Sequence, residues 1–149
     1  MLGRLTLRKF PKNVVNIADQ SPITFPLNSR EQNRTKKGKE GETLAALALQ
    51  KKGMKIICRN FRSSFGEIDL TVMDGEVLVF VEVKNWPAFG YENLGLGINH
   101  KKRRRIIETA KFFLNIHRKY NHRAVRFDVV FIKPGEPVLH LISAFTESE

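Results

Sequence analysis

The sequence predicts an α/β fold in which a mixed β-sheet is packed against helices, with the elements in the order α-β-β-β-α-β-β. Three observations support this prediction. An apolar segment with helical periodicity precedes a run of alternating residues, an Asp-Gly pair separates two strand-like segments, and a second amphipathic helix precedes two further strands. Interleaved helices and strands of this kind are typical of a sheet covered by helices.

The first predicted helix covers residues 37–52 and ends at Gly53, the position that glycine commonly takes after a helix. Its broad apolar face is expected to consist of Leu44, Ala45, Leu47, Ala48 and Leu49. A short strand over Lys55–Arg59 is predicted to follow. We therefore expect the folded domain to begin with this helix and strand.

The next two strands form a predicted hairpin around Asp74-Gly75, a pair that strongly favours a two-residue turn. Glu67–Met73 alternates between apolar and polar side chains. Its two sides are expected to be Ile68, Leu70 and Val72 on one, and Glu67, Asp69 and Thr71 on the other. Glu76–Lys84 has an apolar VLVFV centre, which is typical of a strand buried on both faces.

The second half of the chain supplies one helix and two strands. A loop rich in glycine and aromatic residues runs from Asn85 to about Asn99, and a helix is predicted over Lys101–Tyr120. The apolar stripe of this helix is expected to contain Ile106, Ala110, Phe113, Leu114 and His117. Strands near Val125–Ile132 and Val138–Phe145 are separated by a Pro-Gly turn.

The chain of 149 residues is long enough for one domain, and it divides near Lys36. Residues 1–36 hold three prolines and seven basic against two acidic residues, with no sustained periodicity. We expect them to form a basic, flexible N-terminal arm; an arm that grips phosphate and a processed targeting segment are the alternatives. Residues 37–149 would then form the α/β domain.

The net charge of +11 predicts attraction to polyanions, of which nucleic acid is the commonest. A single cysteine, Cys58, excludes an internal disulfide framework and a cysteine-rich zinc site. The longest apolar runs are too short for a membrane span, and the first residues lack the apolar core of a secretory signal. A reducing, cytoplasmic setting is therefore expected.

The hairpin is where the predicted structure suggests chemistry. If Asp74-Gly75 are the two loop residues, Asp69 faces Phe80 and Glu67 faces Glu82. Asp69 and Glu82 then lie diagonally, roughly 7–8 Å apart at their Cα atoms. Directly opposed residues share a face, so Glu67, Asp69, Glu82 and Lys84 would all project from one side of the hairpin.

Three carboxylates on one face repel one another unless a cation lies between them. Oxygen ligands without nearby Cys or His favour Mg²⁺ or Mn²⁺ over zinc. The alternative is an ordinary solvated sheet face. Leu78 and Phe80 precede Glu82 on the same face, however, and unpaired carboxylates are costly next to a buried apolar stretch. The metal hypothesis is therefore preferred, and the role of Glu67 as an extra ligand or a supporting residue is left open.

Two further features stand out. Glu42 lies on a helical wheel among the small residues Ala45 and Ala46, so it is expected to point inward; its alternative role is that of a first-turn acid favoured by the helix dipole.

Five consecutive bases begin the second helix and oppose its dipole, a conflict that bound phosphate at the helix N-terminus would resolve. They are Lys101, Lys102, Arg103, Arg104 and Arg105. The alternative for this run is a solvated charged surface.

Five motifs occur in the order found in a known family. They are Gly41-Glu42, Arg59-Asn60, Gly66-Glu67-Ile68-Asp69-Leu70, Val79-Phe80-Val81-Glu82-Val83-Lys84 and Arg126-Phe127-Asp128-Val129-Val130. On these motifs the chain resembles the YraN-type family of uncharacterised bacterial proteins, which is placed in the restriction-endonuclease-like, or PD-(D/E)XK nuclease, superfamily. The resemblance covers roughly residues 37–132 and implies the mixed sheet flanked by helices of that superfamily.

The resemblance also implies roles for individual residues. Asp69 and Glu82 would bind a divalent metal, Lys84 would orient or activate the attacking water, and Glu42 would be the acidic partner on the helix. Lys102 aligns with a basic position of the family. Independently, phosphodiester hydrolysis needs a cation to stabilise the developing charge, and the predicted site could supply one.

One position departs from the family pattern, because Trp86 stands where an arginine is expected soon after the Glu-x-Lys motif. A tryptophan there could stack on an unpaired base instead of contacting phosphate. We therefore count Trp86 with Lys102, Arg103, Arg104 and Arg105 as a candidate nucleic-acid-binding residue.

Two functions follow as hypotheses. The first is a Mg²⁺- or Mn²⁺-dependent nuclease, with DNA favoured over RNA and branched DNA as a candidate substrate. The second is a nuclease-fold protein that binds nucleic acid, or assists a DNA-processing complex, without cleaving. A hydrolase of small phosphate compounds would fit the carboxylates but leave the charge of +11 unexplained. Cutting both strands would suit a two-fold homodimer.

Overall fold

A five-stranded sheet lies between two helices in the computed structural model, which describes residues 29–85, 98–133 and 135–148. The predicted fold class and element order are confirmed. The elements are α1 (Ser29–Lys51), β1 (Lys55–Arg62), β2 (Glu67–Asp74), β3 (Val77–Asn85), α2 (His100–Ile116), β4 (Ala124–Ile132) and β5 (Leu139–Phe145). Neither helix has an apolar stretch long enough to cross a membrane in this described part of the chain.

The strands lie in sequence order across the sheet, β1-β2-β3-β4-β5. β3 and β4 are parallel, whereas the other three neighbouring pairs are antiparallel. A parallel pair needs a crossover connection, and α2 lies on that connection. Both edge strands have irregular ladders: β1 shifts register between Ile56 and Cys58, and the β4–β5 pairing shifts between Phe127 and Val129.

Each face of the sheet has its own apolar core. On the α2 side, the helix packs on β-strand residues through Ile106, Ile107, Ala110, Phe113 and Leu114. The opposite core, on the α1 side, joins three helix residues to alternate positions of β2, β3 and β4; it includes Ala45, Ala46, Leu49, Leu70, Val72, Val79, Val81 and Val130. The VLVFV segment of β3 therefore supplies both cores, as its composition predicted.

The first helix differs from its prediction at both its start and its apolar face. It begins at Ser29, not at residue 37, so its first turns lie inside the predicted arm. The side chains of Leu44 and Leu47 are 48% and 49% exposed, and the prediction that they belong to the buried face is wrong. The alanines face the sheet because small side chains let a helix approach it closely, and this rotation turns the two leucines outward. Residues 1–28 of the arm lie outside the described residues.

The hairpin register also differs from its prediction. Asp74 pairs with Val77, so Gly75 and Glu76 are the loop residues and Gly75 takes the positive φ of 58°. Asp74 stays in the ladder, where its Oδ2 lies 2.9 Å from Nη2 of Arg126. The shift is two residues, and a two-residue shift leaves every side chain on its original face. Continued by one position beyond Leu70, this register places Asp69 directly opposite Glu82 rather than diagonally.

Two smaller boundaries are corrected as well. β1 continues to Arg62, past the predicted end at Arg59, because Phe61 is buried against α2. α2 ends at Ile116 with His117 as its C-cap, and a 3₁₀ turn occupies Arg118–Tyr120, where the prediction continued the helix. Within the loop predicted from Asn85 to Asn99, residues 86–97 lie outside the described residues.

Candidate functional site

Asp69 lies where the regular alternation of β2 breaks. Ile68 packs in the core on the α2 side, whereas Leu70 and Val72 pack on the α1 side, so the prediction that all three share one side is wrong. The physical reason is a change in hydrogen bonding at this point. The backbone N–H of Val83 donates to Oδ2 of Asp69 at 2.7 Å, so a carboxylate takes the place of a carbonyl in the β2–β3 ladder.

Glu82 lies on β3 on the α2 side of the sheet and is 6% exposed. Its Oε1 lies 3.2 Å from Nζ of Lys102, on the first turn of α2. Its Oε2 is buried and accepts from no N–H or O–H donor among the described residues, while a hydrogen bond between the Glu82 and Asp69 carboxyls forms only when one of the two is protonated. Leaving a buried carboxylate oxygen without a partner is costly, so this atom is a position where a ligand would be stabilising.

The electrostatics of the pair are unfavourable for two negative charges. Burial first, and then the charge of Asp69, raise the pKa of Glu82 to about 7, although Lys102 opposes both effects. Burial also raises the pKa of Asp69, while the Val83 N–H and Lys102 act against the rise. The two acids therefore share a site in which full ionisation at neutral pH needs an additional positive charge.

Glu42 joins this pair from the other side of the sheet. It is half-buried on α1, and burial raises its pKa; a hydrogen bond from the Asn60 side chain lowers it, and the charges of Asp69 and Glu67 raise it further. The inward orientation that the helical wheel predicted is thus supported by its electrostatic contact with β2. Acids from α1, β2 and β3 converge at one end of the sheet.

The remaining two predicted hairpin residues are placed differently. Glu67 forms an ion pair with Arg62, its Oε2 lying 3.0 Å from Nε, and its side chain is partly exposed. This pairing favours a supporting role for Glu67. Lys84 is half-buried on β3, two positions beyond Glu82, and it pairs in the parallel ladder with Phe131.

The basic run at the start of α2 divides into two groups. Lys102 binds Glu82, and Arg103 donates from Nε to the Ile98 carbonyl at 3.0 Å while its guanidinium lies over the Phe145 ring. Lys101, Arg104 and Arg105 are exposed. The helix N-terminus is capped by Asn99, whose Oδ1 accepts from the Lys102 N–H. Trp86 lies outside the described residues.

The donors at this site can be compared with the needs of a metal. In the described ranges, no group of three or more His, Cys, Asp and Glu side chains is arranged to hold an ion. Mg²⁺, however, is commonly bound through one or two carboxylates while it keeps several waters. Two adjacent buried carboxylates, one with an oxygen that accepts from no donor in the described part of the chain, fit such a cation.

A second polar cluster, on the α1 side of β4, was not assigned a role from the sequence. Asp128 is fully buried and binds Arg126 through two hydrogen bonds of 2.9 Å. It also accepts from Nε2 of His140 at 2.7 Å and from the Ser143 N–H at 3.0 Å. The sequence contained a signal for this cluster. Arg126 and Asp128 carry opposite charges two positions apart in an otherwise apolar strand, and strand residues i and i+2 share a face.

The raised pKa of Glu82 predicts how the stability of the metal-free protein depends on pH. Between the ordinary value of 4.5 and about 7, the folded state binds the extra proton, so the free energy of unfolding falls as pH rises through this window. We expect a decrease on the order of 2 kcal/mol between pH 5 and pH 8. Chemical denaturation in EDTA at several pH values measures it, and Glu82→Gln should flatten the profile. A wild-type profile that rises over this range would contradict the assignment.

Comparison with known proteins adds one further finding. A family model described as "Uncharacterised protein family UPF0102" matches residues 41–132. A UPF0102 protein of Persephonella marina is 43% identical over 109 residues, covering 73% of this chain and 92% of its own. UPF0102 proteins of Treponema pallidum and Rhodococcus opacus are 40% and 42% identical over 116 and 112 residues, covering 74% and 72% of this chain and 92% and 94% of their own. The matched range includes Asp69, Glu82, Lys84 and Asp128.

Proposed function

Because the chain belongs to the uncharacterised protein family UPF0102, whose description assigns no activity, we propose a function from its site: a divalent-metal-dependent nuclease that hydrolyses phosphodiester bonds, with DNA favoured over RNA. The same proposal includes membership of the restriction-endonuclease-like superfamily, because Asp69 lies on β2 and the Glu-x-Lys motif, Glu82 to Lys84, lies on the neighbouring strand β3.

The single observation that supports this function most strongly is the buried Asp69–Glu82 pair. Both side chains are more than nine-tenths buried, at 7% and 6% exposure, and Oε2 of Glu82 accepts from no donor among the described residues. If Glu82 served only to form an ion pair with Lys102, both of its buried oxygens would be expected to have donors, since each unsatisfied oxygen is costly. A cation between the two carboxylates would relieve their repulsion and bind Oε2 of Glu82; in the metal-free protein a proton shared between Asp69 and Glu82 takes its place.

In this proposal the chain's residues divide the work at a scissile phosphate. Asp69 and Glu82 hold Mg²⁺ or Mn²⁺, which when bound supplies Lewis-acid stabilisation of the phosphate charge. The Val83 N–H fixes Asp69 in place by its 2.7 Å hydrogen bond. Lys84 orients the attacking water from the same strand as Glu82, and Glu42 supports the acidic cluster from α1.

Charge supports nucleic acid as the substrate class. The chain carries +11, and three exposed bases, Lys101, Arg104 and Arg105, lie on the same helical segment as Lys102, which contacts Glu82. Phosphates bound along this segment would be held next to the carboxylates. Branched DNA and a two-fold dimer that cuts both strands belong to the same proposal.

A second candidate is a nuclease-fold protein that binds nucleic acid without cleaving it. One specific observation favours it: the Lys102 ammonium, 3.2 Å from Oε1 of Glu82, already supplies a positive charge to the acidic pair. If that charge serves in place of a metal, the site would position nucleic acid and leave the phosphodiester intact.

A cleavage panel decides between these candidates. Full-length protein is incubated with Mg²⁺ or Mn²⁺ and single-stranded, duplex, flapped and four-way-junction DNA, alongside matched RNA, and Mn²⁺ uptake is measured by calorimetry. Metal-dependent cleavage supports the nuclease. Tight binding of nucleic acid with no metal uptake and no cleavage supports the binding protein instead.

The division of the basic run predicts two distinct mutant phenotypes. Arg104→Ala with Arg105→Ala should weaken binding of every DNA in the panel and reduce the salt slope by about one unit for each phosphate that is no longer bound, with little change in thermal stability. Arg103→Ala should instead cost about 1 kcal/mol of stability, because Arg103 binds Ile98 and stacks on Phe145.

The matched control is Arg118→Ala with Lys119→Ala, which removes two exposed bases just beyond the other end of α2. Fluorescence anisotropy over a range of salt concentrations gives the slopes. Equal weakening in both double variants would mean that the basic run has no special place in binding.

A further inference from the structure

The turn between β1 and β2 carries an exposed aromatic side chain at its tip. Phe65 is 37% exposed, within the four-residue connection Ser63–Gly66. Hairpin tips favour Gly, Asn, Asp and Ser, each for a conformational or hydrogen-bonding reason that phenylalanine lacks. A residue that departs from a local preference at an exposed position is a candidate for function.

The turn holds this side chain on a rigid support. The Ser63 N–H donates to the Gly66 carbonyl at 2.8 Å, and the Phe65 N–H donates to Oγ of Ser63 at 3.1 Å. The same Oγ lies 3.1 Å from Oγ1 of Thr109, which is fully buried on α2. The tip is therefore anchored both within itself and to the helix that begins with the basic run.

The turn lies directly against that basic segment. A Cβ placed on Gly66 would lie 3.4 Å from Cβ of Arg105 and 3.7 Å from Oγ1 of Thr109. Lys102, one helical turn before Arg105, contacts Glu82. Phe65 also precedes Asp69 by four positions, an extended length of at most about 14 Å. Both the contact of the turn with α2 and the short chain separation from Asp69 thus place Phe65 near the carboxylate pair. A short stretch of nucleic acid can bridge this distance.

An exposed aromatic side chain beside basic residues suits a nucleotide. Arg105, whose Cβ lies against the turn, is exposed on α2, and Arg62, which is ion-paired with Glu67, is exposed at the end of β1. Guanidiniums bind phosphates, while an aromatic ring stacks on a base, and stacking requires that the base be unpaired. A protein-docking surface would call for a larger apolar patch, whereas the immediate neighbours of Phe65 in sequence are serines and a glycine.

We propose that Phe65 is a base-stacking residue that makes this protein prefer nucleic acid with an unpaired base next to the phosphate held at the carboxylate site. The inference rests on the proposed function and specifies its substrate class. Flaps, overhangs, junction branch points and single strands meet this requirement, and continuous duplex does not.

The test compares three variants on three DNAs of matched length, with Ca²⁺ in place of Mg²⁺ or Mn²⁺, so that a cation can hold the phosphate at the carboxylates while binding is measured. The variants are Phe65→Ala, Phe65→Trp and the control Ile142→Ala, which removes an exposed apolar side chain on β5. The DNAs are a continuous duplex, the same duplex with a single-stranded flap, and the flapped duplex with an abasic unit at the first unpaired position.

The expected result has three parts. Phe65→Ala should bind flapped DNA about tenfold more weakly than wild type and bind duplex within about twofold. Phe65→Trp and Ile142→Ala should match wild type. On abasic DNA, wild type should fall to the level of Phe65→Ala, and the variant should weaken no further, because the same stack is removed from either partner.

Two results would overturn the proposal, and they are distinguishable. If Phe65→Ala binds all three DNAs as wild type does, while Arg104→Ala with Arg105→Ala weakens them, stacking is excluded and the nucleic-acid function stands. If wild type binds none of the DNAs, the proposed function fails and takes this inference with it. A melting curve for each variant shows that the turn still folds.

Discussion

Replacing Glu82 with Gln should abolish metal binding and cleavage together, while the metal-free protein keeps or gains stability. The substitution preserves shape but removes the charge that a cation needs, so we expect Mn²⁺ affinity to fall by about 100-fold or more. Because burial and Asp69 already raise the pKa of this carboxyl to about 7, removing its charge relieves repulsion in the metal-free state. Calorimetric titration with Mn²⁺, the cleavage panel and thermal melting measure the three quantities.

Two companion variants make this result interpretable. Glu67→Gln removes a neighbouring charge that is paired with Arg62 at the surface, and it should change Mn²⁺ affinity by only about twofold. Lys84→Met should keep metal and DNA binding but lose the hydrolytic step, since its proposed role concerns the attacking water. A Glu82→Gln protein that binds Mn²⁺ normally, or that unfolds because Lys102 loses its partner, would show that the pair is structural.

Asp128→Asn should be the most destabilising single substitution in the second polar cluster, costing about 3–5 kcal/mol. Every partner of this carboxylate in the described residues is a donor: two guanidinium nitrogens of Arg126, the ring of His140 and the Ser143 N–H. An asparagine amide turns one acceptor into a donor, so at least one buried donor faces another donor. Urea denaturation measures the change.

The matched control is Asp74→Asn, which removes the other carboxylate on Arg126. Asp74 is partly exposed, so this variant should cost about 1 kcal/mol or less. Similar destabilisation in the two variants would contradict the idea that burial, rather than the ion pair itself, makes Asp128 indispensable.

The Asp128 cluster also determines how the stability of the protein changes at low pH. Burial would raise the pKa of Asp128, but hydrogen bonds from His140, Arg126 and Ser143 outweigh it and hold the pKa below its usual value of 3.8. Its contribution to stability is therefore complete above that value and is lost as pH falls through the folded-state pKa. This effect acts below the window in which Glu82 titrates, so the two groups can be separated by pH.

Sequence patterns predicted the element order and placed Asp69 and Glu82 on neighbouring strands, but diagonally rather than directly opposite each other. The hairpin was placed two residues out of register, and this shift by itself moves no side chain to the other face because side chains alternate with a period of two. The break at Asp69 was not predictable in this way, because it depends on the Val83 N–H bonding to a side chain.

Contacts between residues far apart in the chain were the other feature that the sequence did not predict. The sequence places Lys102 and Arg103 next to each other in one basic run, but the fold directs one to Glu82 and the other to Ile98 and Phe145. Likewise, hydrophobicity assigned Leu44 and Leu47 to the buried face of α1, whereas the sheet selects the smaller alanines. Such choices depend on which surface a helix meets, and periodicity does not encode that surface.

The irregular outer strands also limit how copies of this protein can associate. A long, flat edge strand invites the sheet of another molecule to extend it. Here β1 is interrupted between Ile56 and Cys58 and exposes charged side chains at Lys55, Arg59 and Arg62, while β5 is bent at Ser143, whose φ is 53° and whose N–H is taken by Asp128. Edge-to-edge growth of the sheet is therefore disfavoured at both of its sides, which guards the chain against aggregation through its edge strands and favours its helices or loops over these strands as a contact surface between copies.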